Sequence, residues 1–320
     1  MSFLILIIGF FFLIKGADIF VEGAASIARK FNVPSMVIGL TIVAMGTSAP
    51  EAAVSITSSL AGQNDMSVAN VVGSNFFNIL MVLGVSAIIA KLPVQKETIK
   101  KDTPFLIIVS AMLLVFGLDL KMNRVEGLIF LSLFVYFLIN TVKSAKNSIK
   151  EESKVDNEIA ITADTDVSEI EEISMPKTIL ICILGIVGIV MGGDMVVDSA
   201  TSIATAFGMS ANLVGLTIVA VGTSLPEFVT SVVAIKKGET EIAIGNVIGS
   251  NIFNILLVLG LAITISPITI STLALIDIIF MVIITILLYL FIKKDCSLVK
   301  KQGVILVAIY IAYMIYTIMR

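Results

Sequence analysis

The sequence predicts an all-α fold: a polytopic membrane protein of ten transmembrane helices in two inverted five-helix repeats. Three observations predict it. Composition is the first: of 320 residues, 58% are hydrophobic and 14% charged, with a mean hydropathy of +1.07, whereas a soluble domain is nearer half apolar and a quarter charged. The second is spacing, since apolar runs of about 20 residues, enough to cross about 30 Å of hydrocarbon, recur along the whole length. A β-barrel would show short alternating segments instead. The third is an internal duplication.

The first copy runs Gly39-Leu-Thr-Ile-Val-Ala-Met-Gly-Thr-Ser-Ala-Pro-Glu51 and continues to Asn70-Val-Val-Gly-Ser-Asn-Phe-Phe-Asn78. The second runs Gly215-Leu-Thr-Ile-Val-Ala-Val-Gly-Thr-Ser-Leu-Pro-Glu227 and continues to Asn246-Val-Ile-Gly-Ser-Asn-Ile-Phe-Asn254. At a constant offset of 176, 26 of the 51 positions in 39–89 and 215–265 are identical, so the two stretches are copies.

Helices are expected near residues 3–28, 35–61, 66–90, 103–119, 125–145, 177–206, 210–235, 241–265, 273–292 and 302–319. The first half is 1–145, with its repeat at 36–90. The second is 177–320, with its repeat at 212–266. Between them, 146–176 carries nine Asp or Glu from Glu151 to Glu172 and reads as a soluble acidic linker. The N-terminus lacks a basic n-region and a cleavage site, so it reads as a first spanning helix rather than a signal peptide.

Charge sets the orientation. The loops after helices 1, 3, 5, 7 and 9 hold 17 of the 21 Lys and Arg residues. By the positive-inside rule those loops and the linker are cytoplasmic, and both termini lie outside. Five is an odd number, so the second half enters the membrane from the opposite side. The halves are then related by a pseudo-two-fold axis in the membrane plane, a signature of secondary transporters with a midplane site.

The repeated stretch supplies the candidate chemistry. Glu51 and Glu227 fall near the centres of helices 2 and 7, where an ionised carboxylate costs at least about 2.5–3.5 kcal/mol. Helices 2, 3, 7 and 8 have no Lys or Arg at comparable depth, so a bound cation is the simplest source of positive charge. Pro50 and Pro226 lack an N–H and free carbonyls near Gly46 and Gly222. That exposes backbone oxygens from Ala44 to Thr47 beside Ser48, at a depth where irregular backbone is tolerated only if buried in protein or lining a cavity. Ser74 with Asn78, and Ser250 with Asn254, are spaced i, i+4 on one helix face, and Gly73 and Gly249 would let that face approach a neighbour. The set is all oxygen, which suits hard cations and Ca²⁺ over Mg²⁺. No His is present, and Cys182 and Cys296 give neither metal spacing nor a disulfide framework.

The paired Gly-Thr-Ser-x-Pro-Glu and Gly-Ser-Asn-x-Phe-Asn motifs resemble the α-repeats of the cation/Ca²⁺ antiporter superfamily, most closely its prokaryotic sodium/calcium exchanger branch. The resemblance spans nearly the whole chain. It implies exchange of Na⁺ for Ca²⁺ by alternating access, not enzymatic catalysis, in the cell membrane of a prokaryote. It also implies no prosthetic group, no nucleic acid and no obligatory protein partner, only the transported ions and the lipid bilayer. Residue by residue, it makes Glu51 and Glu227 the Ca²⁺-binding carboxylates. Thr47 and Thr223 would contribute backbone oxygens, and Ala44 and Ala220 carbonyls of flanking Na⁺ sites. Ser48, Ser74, Ser224 and Ser250 would be Na⁺-site hydroxyls, with Asn78 and Asn254 between. The potassium-dependent branch carries Asp where this chain has Asn254, so no K⁺ coupling is expected and the site holds two formal charges. These balance one Ca²⁺ or two Na⁺; a third Na⁺ would make exchange electrogenic.

Two readings compete with this one. A Ca²⁺/H⁺ exchanger on the same fold would need fewer hydroxyl ligands, while a cation channel would need a continuous pore and usually a ring of subunits. Asp18 with Glu22, and Asp194 with Asp198, also obey the offset. They either serve cation access or sit at wet helix ends, with Lys15 as a neighbour.

Overall fold

The computed structural model describes residues 2–62, 64–159, 175–208 and 220–319. Helix α1 (Ser2–Lys30) precedes α2, which runs Ser35–Thr47, breaks, and resumes as Ala49–Leu60 at a bend of 48°. Next come α3 (64–89), α4 (98–116), α5 (Arg124–Ile159) and α6 (Met175–Ala206). Of α7, the described parts are Ala220–Gly222 and Leu225–Lys236. The chain ends with α8 (Thr240–Ile265), α9 (Thr272–Asp295) and α10 (Lys300–Met319). Four two-residue strands lie between helices: β1 (Leu92–Pro93), β2 (Lys121–Met122), β3 (Ile268–Thr269) and β4 (Ser297–Leu298).

Among the described residues, helices therefore form where the apolar runs were expected, with one difference. Helix α5 continues past the expected end at 145 to Ile159, into the segment read as linker. Apolar character stops near 145, but 146–159 contains no Gly or Pro, so nothing in the backbone ends the helix. Residues 160–174 of the expected linker, and 209–219 of the expected seventh helix, lie outside the described residues. Among the described residues, seven helices are long and apolar enough to cross a membrane, or eight with α2 counted as one bent span. The shortfall from ten has a plain origin: the α-helical part of α4 is only 14 residues long, and the start of α7 is outside the described residues.

Burial ranks the helices. About three quarters of the spans of α8 and α3 are buried (78% and 72%), against 11% for α10. The repeated stretches therefore form the interior, and the remaining helices shield them with apolar outer faces. Helix α1 packs against α6 more extensively than any other two elements touch. A Cβ on Gly16 would stand 2.7 Å from Ile189 N and 2.8 Å from Gly185 O, so only glycine permits this spacing. Likewise a Cβ on Gly249 would meet Leu40 O of α2 at 2.6 Å, as expected for close approach. A Cβ on Gly73 would meet none of the described residues within 4 Å, and the stretch expected to approach it lies almost wholly outside them. Its counterpart's neighbours Leu40 and Ala44 correspond to 216 and 220.

The halves interlock through their short ribbons. Strand β1 pairs antiparallel with β4, Leu92 opposite Leu298, and β2 pairs with β3, Met122 opposite Ile268. Since 92 + 176 = 268 and 122 + 176 = 298, each ribbon is the other with its halves exchanged.

Replacing Gly16 with Val should wedge α1 away from α6 at a cost of about 1–3 kcal/mol. The expected outcome is a lower unfolding temperature for the detergent-purified protein by scanning fluorimetry. An unchanged midpoint would show that the seam is not tightly packed.

Candidate ion-binding site

The site begins at the helix breaks. Ser48 has φ −81° and ψ 8°, and Ser224 φ −92° and ψ 6°, so the chain leaves helical geometry two residues before each proline. Pro50 and Pro226 then fall in the first turn of the next helix, where a missing N–H is harmless. Glu51 and Glu227 occupy the same first turns, at the helix end that favours negative charge.

The two breaks exchange hydrogen bonds. Ser48 Oγ donates to Glu227 Oε1 at 3.0 Å, and Ser224 Oγ reaches Glu51 Oε1 at 3.0 Å. Each serine thus serves the carboxylate of the other half. Ser74 on α3 lies 3.3 Å from Glu51 Oε1 and 2.9 Å from the Ser224 hydroxyl. Ser250, its counterpart on α8, instead reaches Asn246 Oδ1 at 3.4 Å. Both glutamates are 0% exposed. In each, the second oxygen, Oε2, is buried with no hydrogen-bond partner among the described residues. Among the described residues, the ion pairs join Lys15, Arg29 and Lys237 to Asp18, Glu22 and Glu239, and none reaches either glutamate.

A surrounding layer of amides fixes the breaks. Asn70 Nδ2 donates to the Glu51 carbonyl (3.1 Å) and to Ser55 Oγ (2.9 Å). Asn246 Nδ2 donates to the Glu227 carbonyl (3.4 Å) and to Ser231 Oγ (3.1 Å). Thr47 Oγ1 lies 3.0 Å from Asn246 Oδ1, and Thr223 Oγ1 lies 3.5 Å from Asn70 Oδ1. Both Thr hydroxyls therefore face the opposite half. The carbonyl of Ala44, expected to be freed, accepts from Ser48 N at 3.0 Å and lies 3.4 Å from Thr47 Oγ1. The loss of helical geometry falls at Ser48, so the turn before it still closes. Ala220 begins the described part of α7.

Asn78 and Asn254 are both 0% exposed. Asn254 opens the π-helical turn Asn254–Leu259, and Asn78 is the second residue of the π turn Phe77–Val82. Such turns recur at functional sites. Among the described residues, neither polar atom of Asn78 has a partner, nor does Asn254 Oδ1. Of the expected site residues, the structure thus brings together the two glutamates, Ser48, Ser74 and Ser224, with Thr47 and Ser250 also beside Glu227 and Thr223 one layer out. Sequence reasoning missed Asn70, Asn246, Ser55 and Ser231 as the clamp. Their signal was available, because all four obey the 176 offset.

Asp18 and Glu22 lie on α1 and pair chiefly with Lys237, at 2.9 and 3.2 Å, while Lys15 is 3.8 Å from Asp18. Lys15 is thus the lesser partner. Asp194 and Asp198 are exposed on α6, and position 61, the counterpart of Lys237, is Ala61.

A polytopic helical fold with two interrupted helices crossing at a buried acidic centre defines a class, the membrane transport proteins. Comparison with known proteins then gives the family. The profile of the family described as Sodium/calcium exchanger protein matches residues 1–143 and 177–319. The chain belongs to that family, in the prokaryotic branch of the cation/Ca²⁺ antiporter superfamily, and is not an enzyme. It is 42% identical over 266 residues to the Putative antiporter CaxA of Alkalimonas amylolytica, covering 82% of this chain and 80% of that one. It is 32% identical to the Sodium/calcium exchanger MaX1 of Methanosarcina acetivorans, covering 98% and 97%. A solved structure of the sodium-calcium exchanger NCX_Mj, soaked with Na⁺ and Sr²⁺, superposes with a TM-score of 0.83 at 32% identity, covering 98% and 97%.

Replacing Asn246 with Ala would remove the amide partner of Ser231 and one partner each from the Glu227 carbonyl, Thr47 and Ser250. Each buried group left unsatisfied costs roughly 1–3 kcal/mol. A clearly lower unfolding temperature is expected, and an unchanged one would remove the clamp from the account.

Proposed function

We propose that the protein is a secondary antiporter that exchanges Na⁺ for Ca²⁺ by alternating access, without K⁺ coupling and electrogenically. One observation carries this reading: among the described residues, two fully buried carboxylates each keep an unpartnered oxygen and have no cationic side chain paired with them. Leaving such charges uncompensated costs several kcal/mol. A cation is the missing partner, and the surrounding hydroxyls and amide oxygens are hard ligands suited to Ca²⁺ or Na⁺. The solved exchanger NCX_Mj was soaked with Na⁺ together with Ca²⁺ or Sr²⁺, which supports the same cargo here.

In this reading Glu51 and Glu227 bind Ca²⁺ directly with Thr47 and Thr223 carbonyls. Ser48, Ser74, Ser224 and Ser250, with the carbonyls of Ala44 and Ala220, complete Na⁺ positions, and Asn78 and Asn254 lie between. The shared oxygens make the two loads mutually exclusive. An empty site leaves two anions without counter-charge, so crossing without cargo is slow and exchange is obligatory. Ten spans in two inverted halves, with both termini outside and the 146–176 segment cytoplasmic, complete the reading. The exchanged ribbons and the reciprocal Ser–Glu bonds support it. Helices α1 and α6 slide together past α2–α3 and α7–α8 to open the site to either side.

Purified protein in liposomes should take up Ca²⁺ when a Na⁺ gradient is imposed, with no effect of K⁺ and little response to an H⁺ gradient alone. Uptake should carry net charge. Glu51→Gln and Glu227→Gln should each reduce it at least about a hundredfold. Full activity in both variants would refute the site; uptake driven equally by H⁺ would refute the counter-ion.

A further inference from the structure

Beside the proposed ligands lies an amide that faces them without belonging to the expected set. Asn75, on α3, is 1% exposed. Its Nδ2 lies 3.4 Å from the Asn251 backbone carbonyl and 3.6 Å from Met281 Sδ. Both neighbours are acceptors only. Asn75 therefore has one sensible orientation, with Nδ2 towards α8 and α9 and Oδ1 turned the other way. At Oδ1 it receives Asn254 Nδ2 at 3.1 Å. An amide has one donor end and one acceptor end, so fixing Nδ2 of Asn254 also fixes Oδ1. That oxygen is buried without a partner.

We propose that Asn75 is a positioning residue: through a chain that starts at the Asn251 backbone carbonyl, it holds the Asn254 amide with its oxygen, never its N–H₂, free to meet a cation. An amide turned the other way would present a donor to a positive ion and repel it. The inference rests on the antiporter reading of the same site, and it adds which residue sets the polarity of that ligand.

The two halves differ at this point. Asn251, the counterpart of Asn75, donates through Nδ2 to Val247 O within its own helix at 2.7 Å, and among the described residues its Oδ1 accepts no bond from Asn78 Nδ2. Among the described residues, neither polar atom of Asn78 has a partner. The structure thus fixes one of the two interior amides and leaves the other unconstrained, so the pseudo-symmetric site has a built-in distinction between its ends. Nothing in the helical periodicity shows this, because 75 and 254 meet only across the halves.

The test uses the full-length protein in detergent and equilibrium ⁴⁵Ca²⁺ binding in Na⁺-free buffer. Asn75→Leu keeps the side-chain size and removes both polar ends. Disturbing a group that orients a metal ligand typically costs about 10–100-fold in affinity, so Ca²⁺ binding should weaken at least about tenfold. The decisive comparison is in the Asn254→Asp background, where both side-chain atoms are oxygens and orientation no longer matters. There Asn75→Leu should change affinity by less than about threefold. An equal loss in both backgrounds would mark Asn75 as merely structural, and no loss in the Asn254 background would mark it as uninvolved; either result overturns the proposal. Asn75→Ala gives the same comparison if the Leu variant does not fold. Wild-type protein that binds no Ca²⁺ would instead overturn the antiporter reading itself.

Discussion

Two carboxylates buried together without a cationic side chain are the constraint on which the rest of the structure depends. Among the described residues, neither Glu51 nor Glu227 has a Lys or Arg partner, and each meets a serine hydroxyl at one oxygen while the other has no hydrogen-bond partner. Hydroxyl donors hold a carboxylate in place without neutralising it, which leaves its charge available to a mobile ion. A lysine at this position would make the site self-sufficient and unable to release or accept cargo. Ser48 and Ser224 each come from the opposite half, so each carboxylate is held in part by backbone it does not share. Any movement of one break relative to the other is felt at both glutamates.

The architecture follows from enclosing that pair in a bilayer. Irregular backbone at Ser48 and Ser224 needs partners within the protein. The Asn70 and Asn246 amides provide them by bonding the Glu51 and Glu227 carbonyls and Ser55 and Ser231. Helices α3 and α8 carry those asparagines, which is why they are the most buried spans. Glycines at the α2–α8 contact bring backbones close enough for the polar network to close, while α1 and α6 form a separate pair held by their own glycine seam. One ion-pair cluster, Lys237 with Asp18 and Glu22, ties α1 to the end of α7. Being partly exposed, it contributes at most about 1 kcal/mol and is easily broken.

Much of this was legible in the sequence because duplication doubles every signal. The prolines, the glutamates and the serines at 48, 74 and 224 stand out against apolar neighbours, and the 176 offset ties them into one set. What periodicity could not reveal were contacts made across the halves: the exchange of serines, and the Asn75–Asn254 pair. The π turns at Phe77 and Asn254 were also hidden, since a widened turn depends on local packing rather than on residue type. The extension of α5 to Ile159 was missed for a different reason: loss of apolar character was read as loss of helix, although nothing there breaks one. The expected free carbonyl at Ala44 failed because the proline's effect appears two residues before it, at Ser48, not further upstream.

The central claim is that one pair of buried charges serves both loads by turns. Calcium binding to the purified protein, measured at equilibrium over rising Na⁺ concentration, tests it most directly. The account predicts that Na⁺ displaces Ca²⁺ completely and with a steepness greater than one, because more than one Na⁺ replaces each Ca²⁺. Calcium that stays bound at saturating Na⁺ would contradict it.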